Sequence, residues 1–439
     1  MKYKRFNPIN VSSKFAICGL PIRVDTYKTC SFGCKYCFSN YRKVMEFTKT
    51  LQIANLDSLR RRLKRVFDKK EIKENDFLDY LLREGVTWHC GGMSDPFQPI
   101  EKELKITSKM LEITNKYNIS ILFSTKTDDV YDWTNLKPEL HSFQLSITNL
   151  ENRKDIEPNV ADINKRINFY KKLKSKGFKV GIRIQPFIPN VSKTNIIETF
   201  KDADYFTIEG LKLVPQNKEQ KDYLLNLLKI PRDNFTQMGL LNLKPEIRLN
   251  LYREFIENLE EYNIPYSIAD NDLHYISKSK CCCGEPLIKK STDFNNTALF
   301  FKNNDYDFED VKECLGDCAN CKANHLFTSN RQEECVSVLD FFKKRFNRKS
   351  SPFSKKFMFN YKQKVLSNLS GFIRTSPDGD FSNEKEHNIS LKESSSEDSQ
   401  ISSKDETSLN NNIMPNFKIA LHNLEQLNQK SGATQWKNV

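Results

Sequence analysis

The sequence predicts an α/β protein: a partial (β/α)6 TIM-like barrel, then a cysteine-rich C-terminal extension and a disordered polar tail. Two observations carry that reading. Short β-like runs alternate with helical spacing from residue 22 to residue 213, the pattern of βαβ units on a parallel sheet. From residue 277 the pattern gives way to an irregular, cysteine-rich stretch and then to a Ser-, Glu-, Asp- and Asn-rich one.

The elements follow in order. A strand over 22–27 leads into the stretch TCSFGCKYCF, and 56–67 reads as a basic helix. Residues 86–90 form a strand ended by Gly91-Gly92, 101–117 has helical spacing, and 120–125 and 143–147 are strands. An amphipathic helix over 160–176 is stopped by Gly177, and strands over 178–184 and 205–213 complete six. A helix over 246–262 follows, and 265–269 adds a candidate seventh strand. In such a barrel the chemistry sits at the carboxyl ends of the strands, where the cysteine loop, Gly91-Gly92 and Lys126 all fall.

The expected organisation is an N-terminal arm over 1–20, the barrel over 21–275 and a cysteine-rich extension over 276–340. A basic-aromatic segment over 341–375, a disordered linker over 376–412 and a short helix over 413–439 follow. Of 439 residues, no apolar run approaches the roughly 18 that a membrane span needs. The basic start has no apolar stretch behind it, so a signal peptide is not expected and the cytoplasm is the default compartment. In a reducing compartment twelve cysteines are metal ligands sooner than disulfides. The net charge of +13 points to a polyanionic partner, although a Lys-rich chain drifts basic without one.

Cys30, Cys34 and Cys37 are spaced Cys-x3-Cys-x2-Cys. A closed zinc site wants four ligands, whereas three thiolates on a [4Fe–4S] cubane leave one iron open to a ligand. Gly33 lets the loop bend tightly, and Tyr36 sets a ring beside the third cysteine. A zinc site borrowing a distant fourth ligand is the competing reading. The spacing, with its aromatic, resembles the radical S-adenosylmethionine (SAM) superfamily. More narrowly, GGMSDPFQPIEK, FSTKT, LSIT, IEPN, Arg166 and IRIQPFIP, in that order, resemble the branch of spore photoproduct lyase and the DNA repair photolyase-like proteins. The likeness covers about residues 20–215.

That resemblance implies an enzyme whose cluster cleaves SAM reductively into methionine and a 5′-deoxyadenosyl radical, with an electron donor such as flavodoxin or ferredoxin. It assigns the SAM amino group to Gly91, Gly92 and Met93, where the superfamily has Gly-Gly-Glu. Met93 departs from the acid, which shifts that contact to main chain or Ser94. It assigns the carboxylate to Lys126, whose alternative is a solvated surface lysine, and sets Tyr36 and residues 186–189 beside adenine. Ser146 and Arg183 can reach the ribose or carboxylate, with ordinary sheet residues as the alternative. Cys90, two residues before the slot of the branch's hydrogen-returning cysteine, is the candidate catalytic thiol. Its alternative is a buried small hydrophobe.

The second cysteine group is Cys281, Cys282, Cys283, Cys314, Cys318, Cys321 and Cys335. It supplies candidate ligands for an auxiliary [4Fe–4S] cluster or for zinc. Residues 341–375 carry ten Lys or Arg, no acid and interleaved aromatics, which suits DNA or RNA; the alternative is a helix docking its Phe face. The functional expectation is radical SAM chemistry on nucleic acid. Peptide modification and a non-catalytic metal-bound nucleic-acid-binding protein are the alternatives.

Overall fold

A computed structural model describes residues 3–12, 18–37, 39, 51–73, 76–213, 218–235, 241–270, 273, 276–279 and 281–292. The expectations for Cys314, Cys318, Cys321, Cys335, the basic-aromatic segment, the linker and the last helix lie outside these residues.

Chain order runs β1 (Lys4–Phe6), β2 (Ile9–Val11), β3 (Ile22–Val24), β4 (Gln52–Ala54), α1 (Leu56–Leu63), α2 (Phe77–Arg83), β5 (Trp88–Cys90), α3 (Glu101–Leu104), α4 (Ile106–Asn115), β6 (Ile121–Thr125) and β7 (His141–Ser146). It continues with α5 (Ile163–Ser175), β8 (Lys179–Phe187), α6 (Asn195–Thr199), β9 (Tyr205–Gly210), β10 (Lys212–Leu213), α7 (Lys218–Leu228), β11 (Leu241–Asn242), α8 (Pro245–Glu261) and β12 (Tyr266–Ile268). The main sheet has eight strands in the order β12-β9-β8-β7-β6-β5-β3-β2. Every pairing is parallel except β2 with β3. The partial barrel is therefore present, with β12 as a seventh parallel strand and β2 closing the other edge.

The strands alternate as a barrel wall must. Trp88, Cys90, Ile121, Phe123, Val180, Ile182 and Ile184 belong to the main apolar core. Polar residues stand at many of the intervening positions, with Leu122 an apolar exception against the floor: His89, Ser124, Gln144, Arg183 and Thr207 are tied to one another across the concave face. Two-sided apolar strands would bury both faces; this sheet keeps one face for chemistry.

The helix expected over 101–117 is broken at Lys105, which has φ +50. The cause is tertiary. The buried Glu101 carboxylate accepts from Thr107 N at 3.1 Å and Ser108 N at 3.0 Å, so it caps α4, while Tyr27 OH also donates to it. α5 begins later than expected, after Asp162, and ends as expected at Gly177 (φ +82), with Phe178 N donating to Leu173 O at 3.1 Å. The strand expected over 205–213 is two strands, because β10 leaves the sheet to pair with β11. The β1–β4 pair and α7 were not anticipated from the sequence.

Residues 281–292 pack across the concave side of the sheet. The carbonyls of Cys281, Cys282 and Cys283 accept from Tyr205 OH at 3.3 Å, Thr207 Oγ1 at 2.9 Å and Gln144 Nε2 at 3.0 Å. Leu287 O accepts from Ser142 Oγ, and Lys290 O from Thr87 N. Contact is close: a Cβ on Gly284 (φ +87) would stand 2.6 Å from the Tyr205 ring. This segment is the floor of the interior. No helix among the described residues is long and apolar enough to cross a membrane.

Candidate active site

The cysteine loop leaves the carboxyl end of β3 and is pinned to the segment that follows β5. Ser31 N donates to Gln98 Oε1 and Gln98 Nε2 to Thr29 O, each at 2.8 Å. Ser39 Oγ donates to Met93 O at 2.8 Å and lies 3.2 Å from Cys37 Sγ. Gly33 has φ +64, the turn expected of it, and Cys37 N donates to Cys34 O at 3.1 Å. Cys34 is buried; Cys30 and Cys37 are half-buried.

Burial, and then the nearby Asp95 carboxylate, push the Cys30 thiol up to about 12. Burial also pushes Cys34 up to about 12, against the pull of Lys126. Such thiols ionise when a metal replaces the proton. Among the described residues no group of three or more His, Cys, Asp or Glu side chains is set to hold one metal ion. A cubane does not ask for that, since each thiolate takes its own iron. Three cysteines on one glycine-turned loop, beside a lysine, fit it.

The segment after β5 is held from both sides. Asp95 accepts from Phe97 N at 2.9 Å, Thr125 Oγ1 at 2.8 Å and Lys126 N at 2.7 Å, joining the turn to the end of β6. Ser94 Oγ donates to Tyr27 O, so its hydroxyl proton is already committed. Gly91 has φ +96 and Gly92 faces Arg23, whose Nη1 would lie 3.7 Å from an added Cβ.

Met93 N donates to Asp25 Oδ1 at 3.2 Å. Burial raises Asp25 to about 6, outweighing that bond and the pull of Arg23. The folded state then holds the proton more tightly than the unfolded chain, so stability falls as pH rises from about 4 to 6. Asp25→Asn should remove that fall and gain about 1–2 kcal/mol at pH 8, allowing for partial exposure. Urea melts at pH 4 and pH 8 check it: the gain is expected at pH 8 alone.

Lys126 reaches over the Tyr36 ring, its Nζ 5.4 Å from the centroid. Its ammonium donates to Glu157 Oε1 at 3.0 Å and to Thr148 Oγ1 and Ser146 O at 3.4 Å. Tyr36 OH donates to Glu157 as well, and Arg166 Nη1 stands 3.9 Å from the other Glu157 oxygen. Lys126 and Arg166 hold the Glu157 carboxyl below the usual range despite burial, which pushes the other way. Glu157, within IEPN, and Arg166 count toward the resemblance, but neither was given a role, since a buried counter-ion pair has no spacing that marks it.

Ser146 Oγ donates to Gln185 O at 3.3 Å. Arg183 is turned to the interior, bonded to Gln185 and, at 3.3 Å each, to Gln144 and Glu209. It does not join the Lys126 cluster. His89 belongs to the same interior belt: Nε2 meets Ser124 Oγ at 2.7 Å, and the buried Nδ1 has no partner among the described residues.

Cys90 faces the other way. It is fully buried in the apolar layer between sheet and helices, in register with Val24 and Phe123. Sharing a side with Gly92 would need the strand to continue, but β5 ends at Cys90 and Gly91 turns the chain, so the packing matches the buried small hydrophobe. Cys281 and Cys283 are buried and Cys282 is half-buried in the floor, near Cys18 and Arg23.

No family model matches the chain. An uncharacterized protein of Methanocaldococcus jannaschii is 29% identical over 231 residues, 51% of this chain and 82% of that protein. Among solved structures, a spore photoproduct lyase complexed with dinucleoside spore photoproduct is 15% identical with a TM-score of 0.43, over 57% of this chain and 76% of that one. Streptococcus suis SuiB bound to precursor peptide SuiA is 12% identical with a TM-score of 0.39, over 60% of this chain and 52% of that one.

Proposed function

We propose that the chain is a radical SAM enzyme in which Cys30, Cys34 and Cys37 hold a [4Fe–4S] cluster. One observation carries the reading: the three-cysteine loop stands at the end of the first parallel strand, with Gly91–Met93 and Lys126 brought beside it from the ends of the next two. A cluster bound there supplies the electron that cleaves SAM into methionine and a 5′-deoxyadenosyl radical, with flavodoxin or ferredoxin as the donor.

The chain's own part is binding, orientation and exclusion of water. The SAM amino group falls to main-chain carbonyls of Gly91–Met93, since the Ser94 hydroxyl is buried and turned to Tyr27 O. Lys126 takes the carboxylate. Arg183, committed to the interior belt, serves the substrate side, as do Gln144 and Glu209. Thiols of the second cysteine group hold an auxiliary [4Fe–4S] cluster or zinc. The substrate class best matched is nucleic acid, for which the net charge of +13 and the basic-aromatic residues 341–375 speak.

Anaerobically reconstituted protein given dithionite and SAM should release 5′-deoxyadenosine, with about four irons per chain for the first cluster and about eight if a second is present. No release with the iron in place would overturn the enzyme reading. Binding to DNA or RNA that does not weaken with salt, or no binding, would overturn the substrate class.

A further inference from the structure

The Lys126 ammonium is already engaged: it donates to Glu157 at 3.0 Å and, at 3.4 Å each, to Thr148 Oγ1 and to the Ser146 carbonyl, which Arg166 Nη2 also bonds. A ligand carboxylate on Lys126 competes with these partners. Of the three, Glu157 makes the shortest contact and is the one of like charge to the ligand.

Glu157 also has somewhere to go. Arg166 Nη1 already lies 3.9 Å from Oε2, and the Arg166 Nε, in a side chain 3% exposed, has no partner among the described residues. Both residues line a small cavity with room for about one water, ≈ 10 Å³. Glu157 lies between two cations, Lys126 at 3.0 Å and Arg166 at 3.9 Å. Arg166 can therefore keep Glu157 paired when Lys126 turns to another anion.

We propose that Glu157 is an internal stand-in for the ligand's carboxylate: it holds Lys126 until SAM arrives, then yields the ammonium and turns to Arg166. This rests on the assignment of Lys126 above. Glu157 is thus a positioning residue that weakens binding of carboxylate-bearing ligands and sets how much the site favours them. A purely structural counter-ion would act on every adenosine ligand alike.

The test compares binding of SAM and of decarboxylated SAM to reconstituted protein. Glu157→Gln should bind SAM about tenfold more tightly, with decarboxylated SAM unchanged. Glu157→Asp keeps the charge for Arg166 but draws it back from Lys126, and should move SAM affinity the same way; it also serves if the glutamine variant folds poorly. Unchanged or weaker SAM binding in the folded variants, or equal shifts for both ligands, overturns the proposal. Lys126→Met reports on the premise alone. It should abolish the preference for SAM over the decarboxylated ligand, and a preserved preference would remove Lys126 from the carboxylate.

Discussion

Serine at position 34 is expected to leave the protein folded, strip the first cluster of its iron, and cut release of 5′-deoxyadenosine by about three orders of magnitude or more, ~4 kcal/mol of barrier. Cys34 is the best-buried of the three loop thiols and the one beside Lys126 and Tyr36. Serine's hydroxyl fills nearly the same space, so packing is kept. It does not keep the ligand: a hydroxyl far from ionisation gives no soft thiolate, and two cysteines anchor a cubane poorly. Iron and sulfide analysis, the electron paramagnetic resonance signal of the reduced protein and circular dichroism together make the measurement. Full iron content with ordinary turnover in Cys34→Ser would show that the loop is not the anchor. Restored iron without turnover would keep the anchor and shift attention to SAM binding.

The barrel was legible because its wall has a strict two-sided pattern. Val180, Ile182 and Ile184 read as strand because the outward face must pack on helices, and Gly177 reads as a stop because α5 needs a left-handed residue there. What stayed hidden was decided by residues distant in sequence. Nothing near Lys105 says that the helix breaks; the cause is Glu101 capping α4 while Tyr27, far upstream, holds it. The cysteine triplet gave no sign that its carbonyls would bond Tyr205, Thr207 and Gln144 inside the barrel, since a main-chain acceptor has no sequence signature.

The site divides the same way. Cys30, Cys34, Cys37, Gly91, Gly92, Met93 and Lys126 were expected together from spacing and resemblance, and the fold brings them to one end of the sheet. Arg183 was expected at the ribose or carboxylate and faces the interior belt; Cys90, a candidate thiol with a buried hydrophobe as its alternative, lies in the apolar layer against the helices. Glu157 was missed because buried charge is a property of three dimensions: only the approach of β6, α5 and the cysteine loop makes it a counter-ion.

The second large effect separates two adjacent glycines. Gly91→Ala is expected to destabilise the protein by about 4 kcal/mol or more, at the far end of what single substitutions do. At φ +96 an alanine is strained by itself, costing about 1–3 kcal/mol. Its Cβ would also stand 2.1 Å from the Ser124 carbonyl oxygen and 3.2 Å from Pro96 Cδ. Ser124 lies in β6, laddered to β5 and β7, so it cannot retreat. The turn carrying Gly92, Met93 and Asp95 must move instead, pulling Asp95 from the Lys126 main chain and Met93 from Ser39. Gly92→Ala meets nothing closer than Arg23 Nη1 at 3.7 Å, an ordinary contact. It should melt within about 0.5 kcal/mol of the parent. If thermal melts find the two alanine variants equally damaged, close backbone approach at Gly91 is not what shapes this end of the barrel, and a shared need for open space above both glycines takes its place.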